Sequence, residues 1–222
     1  MKPHISTIAT ILALAVIPTA HAQSAGTWLG RLGMTTIAPQ VTSGVMTAPS
    51  FEGTKSDVSS ASQVSGGITY MYTDNISIDV PLALPFTHKL YGAGALAGAG
   101  QIGEVQALPM TAFLQYRFME ADSPFRPYVG IGATYAYFFN AKGGAALTAM
   151  TNPGGPTTTI SVDSKFTVTP QIGLTYAIDD KWFVDVFYSK TMLQTRNTFS
   201  TGQTLDITLD PASYGITIGT KF

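Results

Sequence analysis

The chain has 222 residues, 22 of them glycine and none cysteine, and only 11% are charged, where a soluble domain carries about 25%. Its formal charge of -1 excludes the basic stripe of a nucleic-acid surface. The lack of cysteine excludes disulfides, thiol chemistry, Cys-ligated metals and lipid attachment through an N-terminal cysteine.

The first 22 residues have the layout of a secretory signal peptide. Lys2 supplies the positive start, 8–17 (IATILALAVI) an apolar core too short to span a bilayer, and Ala20-His21-Ala22 a small-x-small cleavage site. The expected division is therefore a signal peptide, 1–22, and one domain, 23–222. No later stretch approaches the roughly 20 apolar residues of a membrane helix.

Beyond the leader the dominant period is two, the mark of β-strands. WLGRLGMTTIAP (28–39) comes first, followed by a Ser/Gly/Thr-rich stretch to about residue 62 that reads as a loop. VSGGITYMY (64–72) and ISIDVPLALPF (76–86) flank the turn Thr73-Asp74-Asn75, a hairpin signature. A Gly/Ala-rich loop, 91–103, precedes VQALPMTAFLQYRF (105–118), and a short turn leads to RPYVGIGATYAYFF (126–139). A Gly/Thr/Pro-rich loop to about residue 163 is followed by KFTVTPQIGLTYAI (165–178), the turn 179–181, WFVDVFYSKTM (182–192), a polar loop, and a final strand ending in SYGITIGTKF. The count is eight.

The connections alternate short and long, as in an outer-membrane barrel with tight periplasmic turns and long external loops. Charges give an independent test of that fold. Asp79, Arg117, Asp185 and Lys221 each fall in the phase opposite their strand's apolar row. A charge on the lipid face costs about 2–4 kcal/mol at mid-bilayer, whereas a lumen tolerates it. A soluble sandwich would alternate too, but its second face would be rich in Lys, Glu and other water-facing groups. The predicted fold is an all-β, eight-stranded antiparallel transmembrane barrel. Arg31, Asp79, Arg117, Arg126, Asp185 and Lys221 are the expected lumen charges, grouped toward the periplasmic strand ends in a packed plug. Met71, Phe113, Tyr128, Phe138, Phe183 and Phe187 are the expected channel lining.

His88 is the sole histidine after the leader, so no His-based metal cluster is available, and no metal or other cofactor is implied. A catalytic role for it would need a nearby serine or acid; a polar residue at the external rim accounts for it more simply. The run GAGALAGAG lacks GxGxxG spacing and a following helix, so it is not a phosphate cradle. No enzymatic activity is expected.

Several segments resemble the OmpW/AlkL family of outer-membrane proteins. They are W28-x-x-R31-x-G33, TYMYTDNISIDVPLALPFTH (69–88), LQYRF with its preceding LP (108–118), RPYVGIGATYAYFF (126–139), DDKWFVDV (179–186) and DPASYGITIGTKF (210–222). The resemblance implies a monomeric barrel in the cell outer membrane whose narrow apolar lumen, closed toward the periplasm, passes small hydrophobic molecules sideways into the membrane. It makes Leu84, Pro85 and Phe86 candidates for the lateral gate, with Pro39 and His88 grouped with them. Proline cannot donate to a strand ladder, so Pro39, Pro81, Pro85 and Pro109 mark places where the wall could part. The expected partners are outer-membrane lipids, small hydrophobic solutes and the barrel assembly machinery, which would read Phe222 as its signal. The alternative is a structural or adhesive barrel whose external loops bind a partner.

Overall fold

The computed structural model describes residues 23–50 and 52–222; the leader expected at 1–22 lies outside them. The first wall strand is β1 (Trp28–Ala38), with β2 (Thr42–Ser43) beyond it. The second is β3 (Thr54–Val58) running into β4 (Ala61–Met71), and the third is β5 (Ile76–Ala83) running into β6 (Phe86–Gly94). Two long strands follow, β7 (Gln101–Arg117) and β8 (Phe125–Gly143), and then a helix, α1 (Ala145–Thr151). The last three walls are β9 (Ile160–Val162) with β10 (Lys165–Ala177), β11 (Trp182–Lys190) with β12 (Gln194–Phe199), and β13 (Thr204–Thr208) with β14 (Ala212–Lys221).

All pairings are antiparallel, and they form a ring. β1 pairs on one side with β4 and on the other with β14, so the first and last strands close an eight-stranded barrel. At this seam Trp28 donates to the Phe222 carbonyl at 2.8 Å, and Phe222 donates back to Trp28 at 2.9 Å. Closure leaves no unpaired edge in hydrocarbon.

Side chains are distributed inside out. Leu32, Ile131, Ile172 and Ile216 are each more than half exposed, while Asp79 and Arg126 are fully buried and Arg117 is 1% exposed. Water would not favour that arrangement, and a bilayer does: lipid takes the apolar rows and the lumen takes the charges. This excludes the soluble sandwich.

The lumen stays narrow because large and small residues face each other across neighbouring strands. Phe113 sits opposite Gly132, Tyr128 opposite Gly173, Phe187 opposite Gly215 and Phe183 opposite Gly219. A Cβ on Gly173 would come within 2.4 Å of the Tyr128 ring. An eight-stranded barrel has room for about one layer of side chains across its interior, so each ring needs a bare backbone opposite.

The long connections read from sequence as loops contain regular structure among the described residues. Stretch 40–62 contains β2 and β3, and the glycine-rich 91–103 is the tip of a hairpin whose strands β6 and β7 run into it, with Gly94, Gly98 and Gly100 at positive φ. Stretch 140–163 contains α1 and β9. The cause is a second apolar cluster outside the membrane belt, in which Leu147 of α1 packs with Leu90, Ile102, Ile160, Phe199 and Leu205. Those apolar residues are scattered through polar sequence, so no period announces the cluster.

Candidate functional site

The periplasmic end of the lumen is a packed floor. Arg31 Nη1 and Nη2 donate to the two carboxylate oxygens of Asp79 at 2.6 and 2.8 Å, a bidentate buried pair, and the Thr69 hydroxyl donates to the same carboxylate at 2.6 Å. Arg117 reaches the Ser77 hydroxyl, the Gln115 carbonyl oxygen and the Thr175 hydroxyl at 2.9–3.1 Å and lies over the Tyr128 ring, 4.7 Å from its centroid. Thr175 and Tyr128 in turn donate to Asp185 at 2.8 and 3.1 Å. Arg126 staples the segments below by donating to the carbonyls of Gln23 at 2.8 Å, Asp74 at 2.5 Å and Phe118 at 3.3 Å. Leu29, Met71 and Phe183 fill the remaining space as one buried cluster. Buried charges persist when they are paired and hydrogen-bonded, and this network meets that condition at every charged group except the Nε–H of Arg31, with Arg126 held by carbonyl oxygens instead of a carboxylate.

Above the floor lie two stacked chambers. The lower holds about 620 Å³ of atom-free space and the upper about 770 Å³, both counted to their open mouths. Ile37, Pro109, Thr191 and Ser213 border both and form a waist. The upper chamber is chiefly aliphatic, with Val58, Leu90, Val105, Leu193, Ile207 and Leu209 in its wall. Arg31, Thr35, Ser65, Gln171 and Ser189 line the lower one, beside the rings of Phe86, Phe113 and Phe187. At the waist a chain of hydroxyls crosses four strands: Thr111 to Thr134 at 2.8 Å, Thr134 to Thr169 at 2.7 Å, and Thr169 to Thr191 at 3.1 Å.

Beside the lower chamber the wall is interrupted. Pairing between the third and fourth strands runs from Ile76↔Tyr116 to Asp79↔Phe113, stops, and resumes at Phe86↔Ala107. Residues 80–85 therefore face residues 108–112 without register pairs, and the third strand has one residue more. Pro81, Pro85 and Pro109 all fall within the interruption and bring no N–H to a ladder. On the other side of the third strand the Gln63 side-chain amide bonds the Pro85 carbonyl at 3.2 Å, where a backbone donor would ordinarily stand. Pro81 and Ala83 on one lip and Pro109 and Thr111 on the other border the lower chamber directly.

The extra residue also reverses the phase of the strand. Ile78, Val80, Leu82 and Leu84 face outward, whereas Phe86, His88 and Leu90 are buried. A strict period of two would put both sets on one face; the bulge at Leu84–Pro85 separates them. His88 is accordingly not at the external rim as expected. It lies in the upper chamber wall, its Nδ1 2.7 Å from the Ser59 carbonyl oxygen.

The candidates from sequence thus fall into groups. Leu84 and Pro85 occupy the interruption; Phe86 lines the lower chamber, and Pro39 and His88 the upper. Phe113 and Phe187 line the lower chamber and Phe138 the upper, but Met71, Tyr128 and Phe183 belong to the floor. That corrects the expected lining; the barrel is too narrow to keep its charged end open around those rings. Lys221 sits at the periplasmic end of β14, its amide donating to the Lys181 carbonyl at 2.9 Å. Gln23, Gln115, Gln171 and the threonine chain were not singled out from sequence. The alternation shows the inward phase of Gln115, Gln171 and the threonines, Gln23 lies ahead of the first strand, and which of them meet depends on stagger between strands.

A closed eight-stranded barrel with a lipid-facing exterior, a charged packed floor and an apolar chamber toward the outside is a protein of the outer membrane. Residues 24–222 match the OmpW family, and the chain belongs to it. It is 32% identical to outer membrane protein W of Vibrio cholerae serotype O1, with both chains covered over their full length. It is 26% identical over 199 residues to the dibenzothiophene metabolism operon protein PahQ of Pseudomonas aeruginosa, with 88% of each covered. The crystal structure of OprG from Pseudomonas aeruginosa superposes with a TM-score of 0.82 at 25% identity, over 92% of this chain and 99% of that one.

Proposed function

We propose that the protein is a passive channel through which small hydrophobic molecules cross the outer leaflet region and leave sideways into the membrane. The observation that carries this reading is the position of the wall interruption. It borders the lower chamber, directly above a floor that is filled with side chains. A molecule entering from outside meets an aliphatic chamber, passes the waist, and finds unpaired strand rather than a polar exit as its next boundary. Transfer down this route is partitioning between apolar phases and needs no energy source. The relative encoded within an operon for dibenzothiophene metabolism, a pathway for an apolar aromatic compound, supports the same class of solute.

The waist supplies the test. Thr191 borders both chambers, and Thr191→Trp would fill the passage while leaving the floor and seam untouched. Uptake of a radiolabelled alkane is expected to be faster in cells carrying the gene than in cells without it, and to fall several-fold in the variant. Heat-modifiable gel mobility reports whether the variant barrel is assembled. Equal uptake in all three strains would overturn the proposal.

A further inference from the structure

The two chambers differ in chemistry, and the difference points to the shape of the molecule that fits them. The upper one is a site for a hydrocarbon tail. The lower one lies over a floor in which Arg31 is bound to Asp79 and Arg117 is buried in the network that ends on Asp185, with Arg126 on backbone carbonyls below. Arg31, 5% exposed at its side chain, borders the chamber and keeps its Nε–H without a partner. Gln171 borders it too, receiving a bond from Gln115 through its carbonyl oxygen. Thr35 and Ser65, bonded to each other at 2.6 Å, and Ser189 add hydroxyls around the same space. These groups bond one another in part, and a wholly apolar solute would offer nothing to their remaining hydrogen-bonding capacity, which favours a solute carrying an oxygen.

We infer that the lower chamber is a binding site for the oxygen-bearing head of an amphipathic molecule, one whose hydrocarbon tail occupies the upper chamber. The inference rests on the channel reading above and narrows its substrate class to apolar chains ending in a hydrogen-bond-accepting oxygen, either a carboxylate or a neutral hydroxyl. The head docks at Gln171, Ser189 and the Arg31 end of the chamber. The docked head then lies beside the interruption at 80–85, which borders the same chamber, with the tail above the waist.

The test compares three solutes of equal length: decane, decanol and decanoate. The variant is Gln171→Leu with Ser189→Ala, which keeps roughly the chamber's volume but removes two polar groups. Uptake is measured in cells with no gene, the natural gene or the variant gene, and binding of decanol and decanoate to purified protein in detergent is measured by calorimetry. The expected result is a loss of about tenfold in uptake and affinity for decanol and decanoate, a factor that corresponds to 1.4 kcal/mol, with a much smaller effect on decane uptake. A larger loss for decanoate than for decanol would identify the anionic head as the favoured one. If all three solutes depend on the gene and the variant changes none of them, or changes all alike, the head site is wrong and the channel stands. If none depends on the gene, the channel reading itself fails, and the head site with it. Gel mobility and thermal melting of the variant separate either result from misfolding.

Discussion

At the scale of single residues, the floor is held by groups that cannot be removed one at a time. Asp79 accepts two bonds from Arg31 and one from Thr69 in a fully buried setting. Asp79→Ala would leave the guanidinium buried without its counter-charge, a change that costs about 3–5 kcal/mol. Its urea midpoint in lipid vesicles is expected to fall sharply, while the double replacement Arg31→Met with Asp79→Leu should recover most of the loss. An unchanged midpoint for the single variant would mean that the pair contributes no stability. Gly173 makes a second prediction. A methyl group there collides with the Tyr128 ring and lies 2.8 Å from the Val186 carbonyl oxygen, so Gly173→Ala should cost about 1–3 kcal/mol by overpacking. The same measurement checks it, with Ala at the lipid-facing Gly30, whose nearest neighbour is the side chain of Phe222, as the milder control.

At the scale of elements, the wall interruption and the periplasmic turns carry the predictions. Three prolines lie in the unpaired stretch, and replacing Pro81, Pro85 and Pro109 by Val, Ala and Val returns three donors to it. Slower amide exchange at 108–112 is expected, together with slower alkane uptake. Faster uptake would show that the prolines keep the wall shut. In the turn between β10 and β11, Asp179 accepts from the amides of Lys181 at 2.8 Å and Trp182 at 2.7 Å. Those bonds, Trp182's above all, hold its carboxyl below the ordinary carboxylate value. A lowered value in the folded state means the stabilisation is complete above the unfolded value and is lost as pH falls through the lowered one. The Lys181 and Trp182 amide resonances should therefore stay constant at neutral pH and shift only in acid beyond the usual range. Asp179→Asn should remove that titration.

At the scale of the whole molecule, the seam decides whether a barrel exists. Deleting Phe222 removes both hydrogen bonds it shares with Trp28 and opens the ring at its periplasmic end. A smaller fraction of heat-modifiable, membrane-inserted protein is expected, and an undiminished fraction would show that the pairs from Leu29↔Lys221 upward close the barrel unaided. The external lobe belongs to this scale too. Its apolar cluster unites α1 with strands from distant parts of the chain, and the upper chamber takes Leu90, Leu193 and Ile207 from it. The roof of the lumen is thus built by the parts of the sequence that look least structured.

What the sequence determined by itself is what depends on alternation alone. The eight strands, the lipid-facing rows at Ile76 to Leu84 and Tyr214 to Ile218, and the inward placing of Arg31, Asp79, Arg117 and Asp185 follow from a period of two and the cost of charge in hydrocarbon. Of the four prolines read as marks in the wall, Pro81, Pro85 and Pro109 fall where register pairing stops, and Pro39 lies just past the end of β1. Only the tertiary structure decided the rest, because each remaining feature compares one strand with another. The single extra residue at Leu84–Pro85 turns His88 inward, and period counting within one strand is blind to a register set by its neighbour. Met71, Tyr128 and Phe183 share the inward phase with Phe113 and Phe187, but height along the barrel, which stagger sets, assigns the first three to the floor and the other two to the chamber. The threonine chain joins four neighbouring walls, and the Arg117 network joins residues on five strands, β5, β7, β8, β10 and β11. Their contacts exist only once the sheet has closed.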